Sequence, residues 1–521
     1  MRPAPSPRAA TCALVLAALA AWVALSPPGA NDLVGGDEGY YGTMARNVLA
    51  GPRWLASPSL WPLGPPGDKP PLYPALLAGS VALLGPTEAA VRWPSLAFAA
   101  LTALATAAFA AAAARQALGA ATAAAGWAGF AAAAFLLSAP WFADASRIAT
   151  AEHPLTALGA GALALLARPV APAAAGRPER PAPPVGTAFA AGALLGLAFL
   201  CKLWLVALLA LPAAALLAPA RAGLTAGASA RALLALGAGF LATGSLQIAA
   251  VAAFRPAELP HWRDVYLGFS LAGRMGGEGF DASWIKPPHY YAATLGRALA
   301  PALPFALAGA WAMAGRAGRP AARALLAWAA GVLVLSAFRV KSGVYLYPVV
   351  PAWAALAGIG AAALAGAGAA PGAARAPWRR AAAAAAALAV LAGFAWQARK
   401  LPPRHHDPGY RDVAAALAPR LASADPAAPS YVAPEAPAFG FYLARAGRYW
   451  GSPYRPWRAA QRESVAADRA LRAFVVDPSR RLYGGWPDSA TLAWLEAHTR
   501  ELTDSIAAAR GRPLGVRVFV R

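Results

Sequence analysis

Asp37 and Glu38 stand side by side in GGDEGYYGTMARNVLAG, just after the first apolar segment, and Asp68-Lys69-Pro70-Pro71-Leu72-Tyr73 follows further along the same hydrophilic stretch. The chain has only 23 Asp and Glu against 46 Lys and Arg, so a carboxylate pair beside a membrane-length apolar run calls for a chemical reason. An ionised carboxylate within hydrogen-bond reach of a hydroxyl can take its proton as the oxygen attacks an electrophilic carbon. A lysine at a membrane surface can neutralise a phosphate and favour its departure as a leaving group. The plain alternatives are a solvated loop pair capping the helix YGTMARNVLA and an interfacial lysine that snorkels.

Four further segments carry candidate groups. Arg147 and Glu152 lie in ASRIATAEHPLTAL, five residues apart, a spacing that fits an internal ion pair as well as substrate contact. His153 beside them reads as a packed residue. Lys202 ends an apolar run in GLAFLCKLW, and Arg339, Lys341 and Tyr345 lie in SAFRVKSGVYLYPVVPAW. Cations at helix ends are often only anchors, but together with Lys69 such a set can hold a lipid phosphate. The loop at 255–287, with glycines in LAGRMGGEGFDAS, reads as an ordinary flexible loop that could also close over a substrate. No metal-ligand spacing occurs, and Cys12 and Cys201 both sit in apolar runs, which argues against a disulfide framework.

These groups must be positioned by membrane helices. The 521 residues are 59% hydrophobic and 13% charged, with a mean hydropathy of +0.46, a polytopic membrane composition. A net charge of +23 would suggest nucleic acid in a soluble protein, but here the basic residues cluster between apolar runs, where they set topology, so no nucleic-acid partner is expected. Membrane-length segments lie near 9–29, 93–114, 117–138, 148–167, 186–201, 203–219, 232–254, 288–315, 322–338, 344–366 and 381–398, with 72–85 as a short re-entrant or interfacial candidate. The first segment, preceded by Arg2 and Arg8, reads as an anchor rather than a cleaved signal.

With a cytoplasmic N-terminus, the inner segments hold arginines such as Arg115, Arg168, Arg221, Arg316, Arg319, Arg323, Arg379 and Arg380 against one acid, Glu179. Lys69, Lys202, Lys286, Lys341 and every other acid before residue 400 fall on the opposite face. The Pro-, Ala- and Arg-rich stretch 169–186 reads as a cytoplasmic linker. Beyond residue 400, strand-like SYVAP, AFVVDP and LGVRVFVR alternate with helix-like 411–422 and 489–499, which predicts a small α/β domain. The expected organisation is a transmembrane catalytic domain at 1–400, with a first external loop at 30–92, and an extracytoplasmic domain at 401–521.

At these residues the chain resembles the GT-C membrane glycosyltransferases that use polyprenyl-phosphate sugars. It is similar above all to the branch holding the lipid A aminoarabinose transferases and the bacterial relatives of protein O-mannosyltransferases. The resemblance rests on DEGYYGTMARNVLAG, DKPPLYPALLAGSVALLG followed by TEAAVRWPS, SRIATAEHPL, GLAFLCKLW and RVKSGVYLYPVVPAWAALAG, whose order covers residues 1–365, and more loosely on YVAPEAPAFGFYLARAGRYW. It implies a GT-C fold of about eleven to thirteen transmembrane helices, with Asp37 as base or acceptor-orienting carboxylate and Glu38 beside it. Lys69, Arg147, Lys341 and Tyr345 would surround the donor phosphate, with Lys202 and Arg339 completing the cationic set. Tyr40 stands near a position where some relatives have arginine, Asp68 replaces a commoner glutamate, and Glu152 takes the place of a usual aspartate, which leaves donor and acceptor open.

The expected activity is transfer of a sugar, with inversion, from a polyprenyl-phosphate donor to a lipid, glycan or protein acceptor at the outer face of a bacterial inner membrane. No cofactor is required by this reading, although carboxylates can hold a hard cation, so a divalent metal stays an alternative. A transporter or flippase of lipid-linked sugars is the rival reading. It would place acids within the membrane and break paired helices, whereas here the acids concentrate in external loops.

Overall fold

The computed structural model describes residues 18, 19, 22, 32, 33, 37–51, 69–168, 183–219, 225–277, 284–366, 377–399, 409–425, 428–433, 436–445, 448–449, 463, 465–476 and 489–521. Most of the expected first span at 9–29, the linker at 169–182 and Asp68 lie outside the described residues. The chain forms two compact units, one of Met1–Pro27, Ser95–Ala249 and Lys286–Pro402, the other of Pro28–Pro94, Ala250–Ile285 and Pro403–Arg521.

The first unit is helical. By length and composition five helices among the described residues could cross a membrane: Glu88–Gln116, Val185–Leu217, Ala226–Gly244, Pro320–Ala337 and Pro377–Arg399. Ala123–Ser138 and Pro140–Ser146, bent by 67°, make a sixth if taken together. The bend falls where Ala139, extended at φ −66° and ψ 114°, precedes a proline that disfavours helix in its predecessor. Leu303–Ala314 and Val350–Leu364 are apolar but shorter.

Val185–Leu217 is not one straight rod. Gly192 lies against the carbonyl of Leu236, Gly196 against that of Phe240 and Gly239 against that of Phe189, so residue numbers on the two helices rise together. Thr243 Oγ1 donates to the Ala193 carbonyl at 2.9 Å in the same register. Val185–Lys202 and Ala226–Gly244 therefore run parallel, which demands that the chain between them reverse. Lys202, at φ −156° and ψ 60°, leaves the helical region, and the 3-10 turn Leu203–Val206 sends Ala207–Leu217 back. Arg323 then donates to the carbonyls of Ala215 at 2.8 Å and Ala218 at 2.9 Å, tying the far end of the returning helix to the start of Pro320–Ala329.

Small residues let these backbones approach closely, the usual solution where apolar side chains gain nothing by leaving lipid. At Gly309 and Gly360 a methyl group would overlap the carbonyls of Leu356 and Phe305 respectively. Gly309→Leu is expected to cost at least about 1–3 kcal/mol through overpacking, seen as a lower Tm of the detergent-purified protein. Gly237→Leu, where an added Cβ meets nothing within 4 Å, should leave Tm unchanged. Equal Tm values for the two would refute the close-packing account.

The second unit contains a five-stranded sheet in the order β2-β1-β3-β5-β4. Its strands are β1 (Tyr431–Ala433), β2 (Arg448–Tyr449), β3 (Ala473–Val476), β4 (Arg500–Glu501) and β5 (Arg517–Val520). β1 pairs in parallel with β2 and β3, while β5 runs antiparallel to β3 and β4. The alternation in AFVV sends Ala473 and Val475 into a core with Tyr410, Leu417 and Phe439, and Phe474 and Val476 into one with Leu471, Leu495 and Phe519. Both faces are thus covered, as expected of a small α/β domain.

On β4, Glu501 accepts two hydrogen bonds from Arg517, at 2.9 and 2.6 Å, and its carboxyl is held below the usual carboxylate range by these bonds. A depressed carboxyl stabilises the fold above its unfolded pKa, about 4.3, and that contribution is lost as pH falls through the folded value. The pair is partly exposed, so the effect stays within about 1 kcal/mol. Glu501→Gln should therefore flatten the decline of Tm on acidification below about pH 5, and an unchanged slope would show the pair to be inert.

Candidate active site

The second unit builds its site around the helix Asp37–Ala50, which opens with both acids, a placement the positive end of the helix dipole favours. Asp37 Oδ1 lies 3.7 Å from Lys69 Nζ, with the aspartate side chain 30% exposed and the lysine 13%. The ammonium lies 5.3 Å from the ring centre of Tyr40 and 6.0 Å from that of Tyr41, within range of a cation–π attraction. Tyr266 donates to the Lys69 carbonyl at 2.9 Å, which pins the backbone just before Pro70-Pro71 and the helix Leu72–Leu84. Tyr41 meets Tyr73 edge-on at 4.8 Å, joining that helix to Asp37–Ala50.

Glu38 has a different environment. It is buried, and Arg92 grips both its oxygens, Nε to Oε1 at 2.7 Å and Nη2 to Oε2 at 2.8 Å. Nη2 of the same arginine donates to the Asp32 carbonyl at 2.9 Å. One turn earlier, Glu88 accepts from Arg411 Nε at 2.9 Å and from the Tyr442 hydroxyl at 2.8 Å. Tyr442 in turn accepts from the Leu33 amide at 2.8 Å. Burial, reinforced by the charges of Asp32 and Glu88, pushes the Tyr442 phenol up, so it stays a donor. Gly39 touches the backbone of Ala438, where a Cβ would sit 2.8 Å from the Ala438 nitrogen. The Asp37 helix is therefore docked on Ala436–Leu443 of the α/β fold, with Arg46 donating to the Phe441 carbonyl.

In the first unit, Glu152 and Lys202 form an ion pair at 3.0 Å, with the glutamate fully buried. Each sits at the helix end whose dipole suits it, Glu152 in the first turn of Glu152–Leu166 and Lys202 in the last of Val185–Lys202. Lys202 Nζ lies 5.8 Å from the ring centre of buried Tyr345, which meets Trp204 edge-on, and Trp204 stacks on Phe338 at 4.7 Å. Arg147 pairs with Asp144 at 3.2 Å. Lys341 is buried, donates to the carbonyls of Lys286 and Phe338, and has its ammonium pKa lowered by burial. Arg339 is exposed and accepts from the Lys286 amide at 3.3 Å through its carbonyl. His153 is a packed residue, its ring edge-on to Tyr347 at 4.4 Å and Nε2 against the Ala145 carbonyl at 3.0 Å.

The structure thus brings Asp37 and Lys69 together in one unit, and Glu152, Lys202 and Tyr345 together in the other. Arg92, Glu88, Arg411, Tyr442 and Asp144 are partners that the sequence analysis leaves unassigned. Glu88 and Arg92 did carry a signal, two charges four residues apart at the head of a long apolar helix. Among the described residues no three His, Cys, Asp or Glu side chains are grouped to hold a metal.

Among solved structures, the chain is similar to ArnT from Cupriavidus metallidurans bound to undecaprenyl phosphate, with a TM-score of 0.65 and 19% identity over 98% of this chain and 97% of that one. It is also similar to the oligosaccharyltransferase AglB from Archaeoglobus fulgidus, in complex with an inhibitory peptide and a dolichol-phosphate, at a TM-score of 0.55, 14% identity and coverage of 90% and 69%. The arabinofuranosyltransferase AftD from Mycobacteria matches at 0.53 and 17% identity over 99% of this chain and 40% of that one. No protein-family model and no curated protein matches the sequence. These likenesses define the fold: a helical polytopic membrane protein of the GT-C type with a small α/β domain.

Proposed function

We propose that this chain is a membrane glycosyltransferase, moving one sugar from a polyprenyl-phosphate donor to a hydroxyl-bearing lipid, glycan or protein acceptor. The observation that carries the reading is the partly exposed Asp37 carboxylate at the head of its helix, 3.7 Å from Lys69. The likeness of fold to ArnT over nearly the whole chain supports it. Asp37 takes the acceptor proton as the hydroxyl oxygen attacks the anomeric carbon. The bond from that carbon to the phosphate oxygen breaks with its electron pair, and attack opposite the leaving group inverts the centre. Lys69, beside Asp37, stabilises the departing phosphate. In the helical unit Arg147, Lys202, Arg339 and Lys341, with the Tyr345 hydroxyl, are the groups suited to holding a lipid phosphate, and Glu152 orients Lys202. Glu38 acts through Arg92, holding Asp37 in place. Lysine and arginine can neutralise a lipid monophosphate by themselves, and a divalent metal held by carboxylates is the alternative. The charge distribution supports a bacterial inner-membrane protein whose Asp37 loop and C-terminal domain face outward.

The test is incubation of purified protein in detergent with radiolabelled polyprenyl-phosphate sugars and a panel of acceptors. Cleavage of a donor with label appearing on an acceptor is expected. Movement of lipid-linked sugar across reconstituted vesicles with no donor cleaved would replace this reading with the transporter.

A further inference from the structure

The helical unit has a second chemical feature, at the end away from Lys202 and Glu152. A cavity of about 580 Å³ opens between Thr122–Ser138, the end of Val350–Leu364 and Pro377–Arg399. Trp127, Phe130, Ala361, Ala365, Ala383 and Ala387 give it almost wholly apolar walls. The cause lies in the sequence: Pro377–Arg399 carries a run of alanines whose methyl groups are too short to fill the space against its neighbours. Gly393 meets Ser138 toward the C-terminal end of each helix, so the gap lies toward the start of both. Phe135, stacked on Phe305 at 5.5 Å, stands at its deep level. From Trp127 to Phe135 is eight residues of helix, roughly 12 Å at 1.5 Å per residue.

The mouth of the cavity is cationic. Arg379 lies one turn before Ala383, and its guanidinium packs on Gly366, next in chain to Ala365. Nε and Nη1 of Arg379 are buried and have no hydrogen-bond partner among the described residues, while the Trp378 ring lies 5.1 Å from the guanidinium carbon. Arg380 follows directly. Arg319, which donates to the Gln116 carbonyl, and Arg316 lie at this end too. The acids of this unit among the described residues, Asp144 and Glu152, are both at the other end. Buried guanidinium donors beside an apolar slot ask for an anion that carries hydrocarbon.

We propose that this groove holds one acyl chain of an anionic glycerophospholipid, with the lipid phosphate bound by Arg379 and supported by Arg380. The shallow depth suits part of a single acyl chain better than a polyprenyl tail. The site is separate from the groups assigned to sugar transfer and stands whether or not that assignment does.

The test is native mass spectrometry of the full-length protein released from micelles after mixing with phosphatidylglycerol, phosphatidylethanolamine or undecaprenyl phosphate. Phosphatidylglycerol should be retained about fivefold or more over phosphatidylethanolamine, the effect of one basic side chain on an anionic lipid. Arg379→Gln should erase that preference, and Ala387→Trp, which fills the slot, should lower retention of both phospholipids. Equal retention of the two phospholipids by the wild type, or an undiminished preference in Arg379→Gln, overturns the proposal. So does displacement of bound phosphatidylglycerol by an equimolar amount of undecaprenyl phosphate.

Discussion

Asp37→Asn is expected to reduce sugar transfer by about 10²–10⁴-fold, the usual contribution of a positioned general base, which is roughly 3–5 kcal/mol of transition-state stabilisation. The amide keeps the size and most hydrogen bonds of the carboxylate but cannot accept the acceptor's proton. The side chain is partly exposed and its ion pair with Lys69 is long, so little folding energy is at stake. The loss should therefore appear in kcat with Tm unchanged. Donor binding, read by equilibrium binding of a radiolabelled polyprenyl-phosphate sugar, should persist. A variant that turns over at the wild-type rate would remove Asp37 from the mechanism, and one that fails to fold would move it to a structural role.

Arg92→Met is expected to produce the largest loss of stability, about 3–5 kcal/mol, because it strands a buried carboxylate without its partner. Glu38 is 1% exposed and Arg92 2%, so water cannot replace the two hydrogen bonds that join them. Activity should fall with stability, since the pair holds the first turn of the helix that presents Asp37. The double variant Glu38→Gln with Arg92→Met should recover part of the loss, because no charge is left buried. Calorimetric Tm values and kcat for the two single variants and the double variant form the cycle. Additive effects would mean that the two side chains act independently, contrary to the bidentate geometry.

Much of the fold is legible in the chain because hydrophobic runs and period-two alternation are local properties. The strands at AFVV and RVFV and the helices near 411–422 and 489–499 fall where the pattern puts them. Asp37 and Lys69 are also legible, as rare charges flanking apolar helices. The partnerships are less so. The five-residue spacing of Arg147 and Glu152 suggests an internal pair only if one helix runs through both, whereas the helix Pro140–Ser146 ends before Arg147 and a new one begins at Glu152. The pairs that form are Arg147 with Asp144 and Glu152 with Lys202.

The sequence by itself determined a membrane-embedded helical protein, a terminal α/β domain and a small set of charged groups at helix ends. Free-energy costs decide these locally: apolar residues leave water, and charges stay at the ends of apolar helices. Only the tertiary structure decided that Lys202 meets Glu152 from 50 residues away, that Arg92 takes both oxygens of Glu38, and that Val185–Leu217 folds back on itself. Those outcomes depend on which helix faces approach through glycine and alanine, and on buried charges finding partners once the helices have packed. Neither preference is written into the spacing of any single segment.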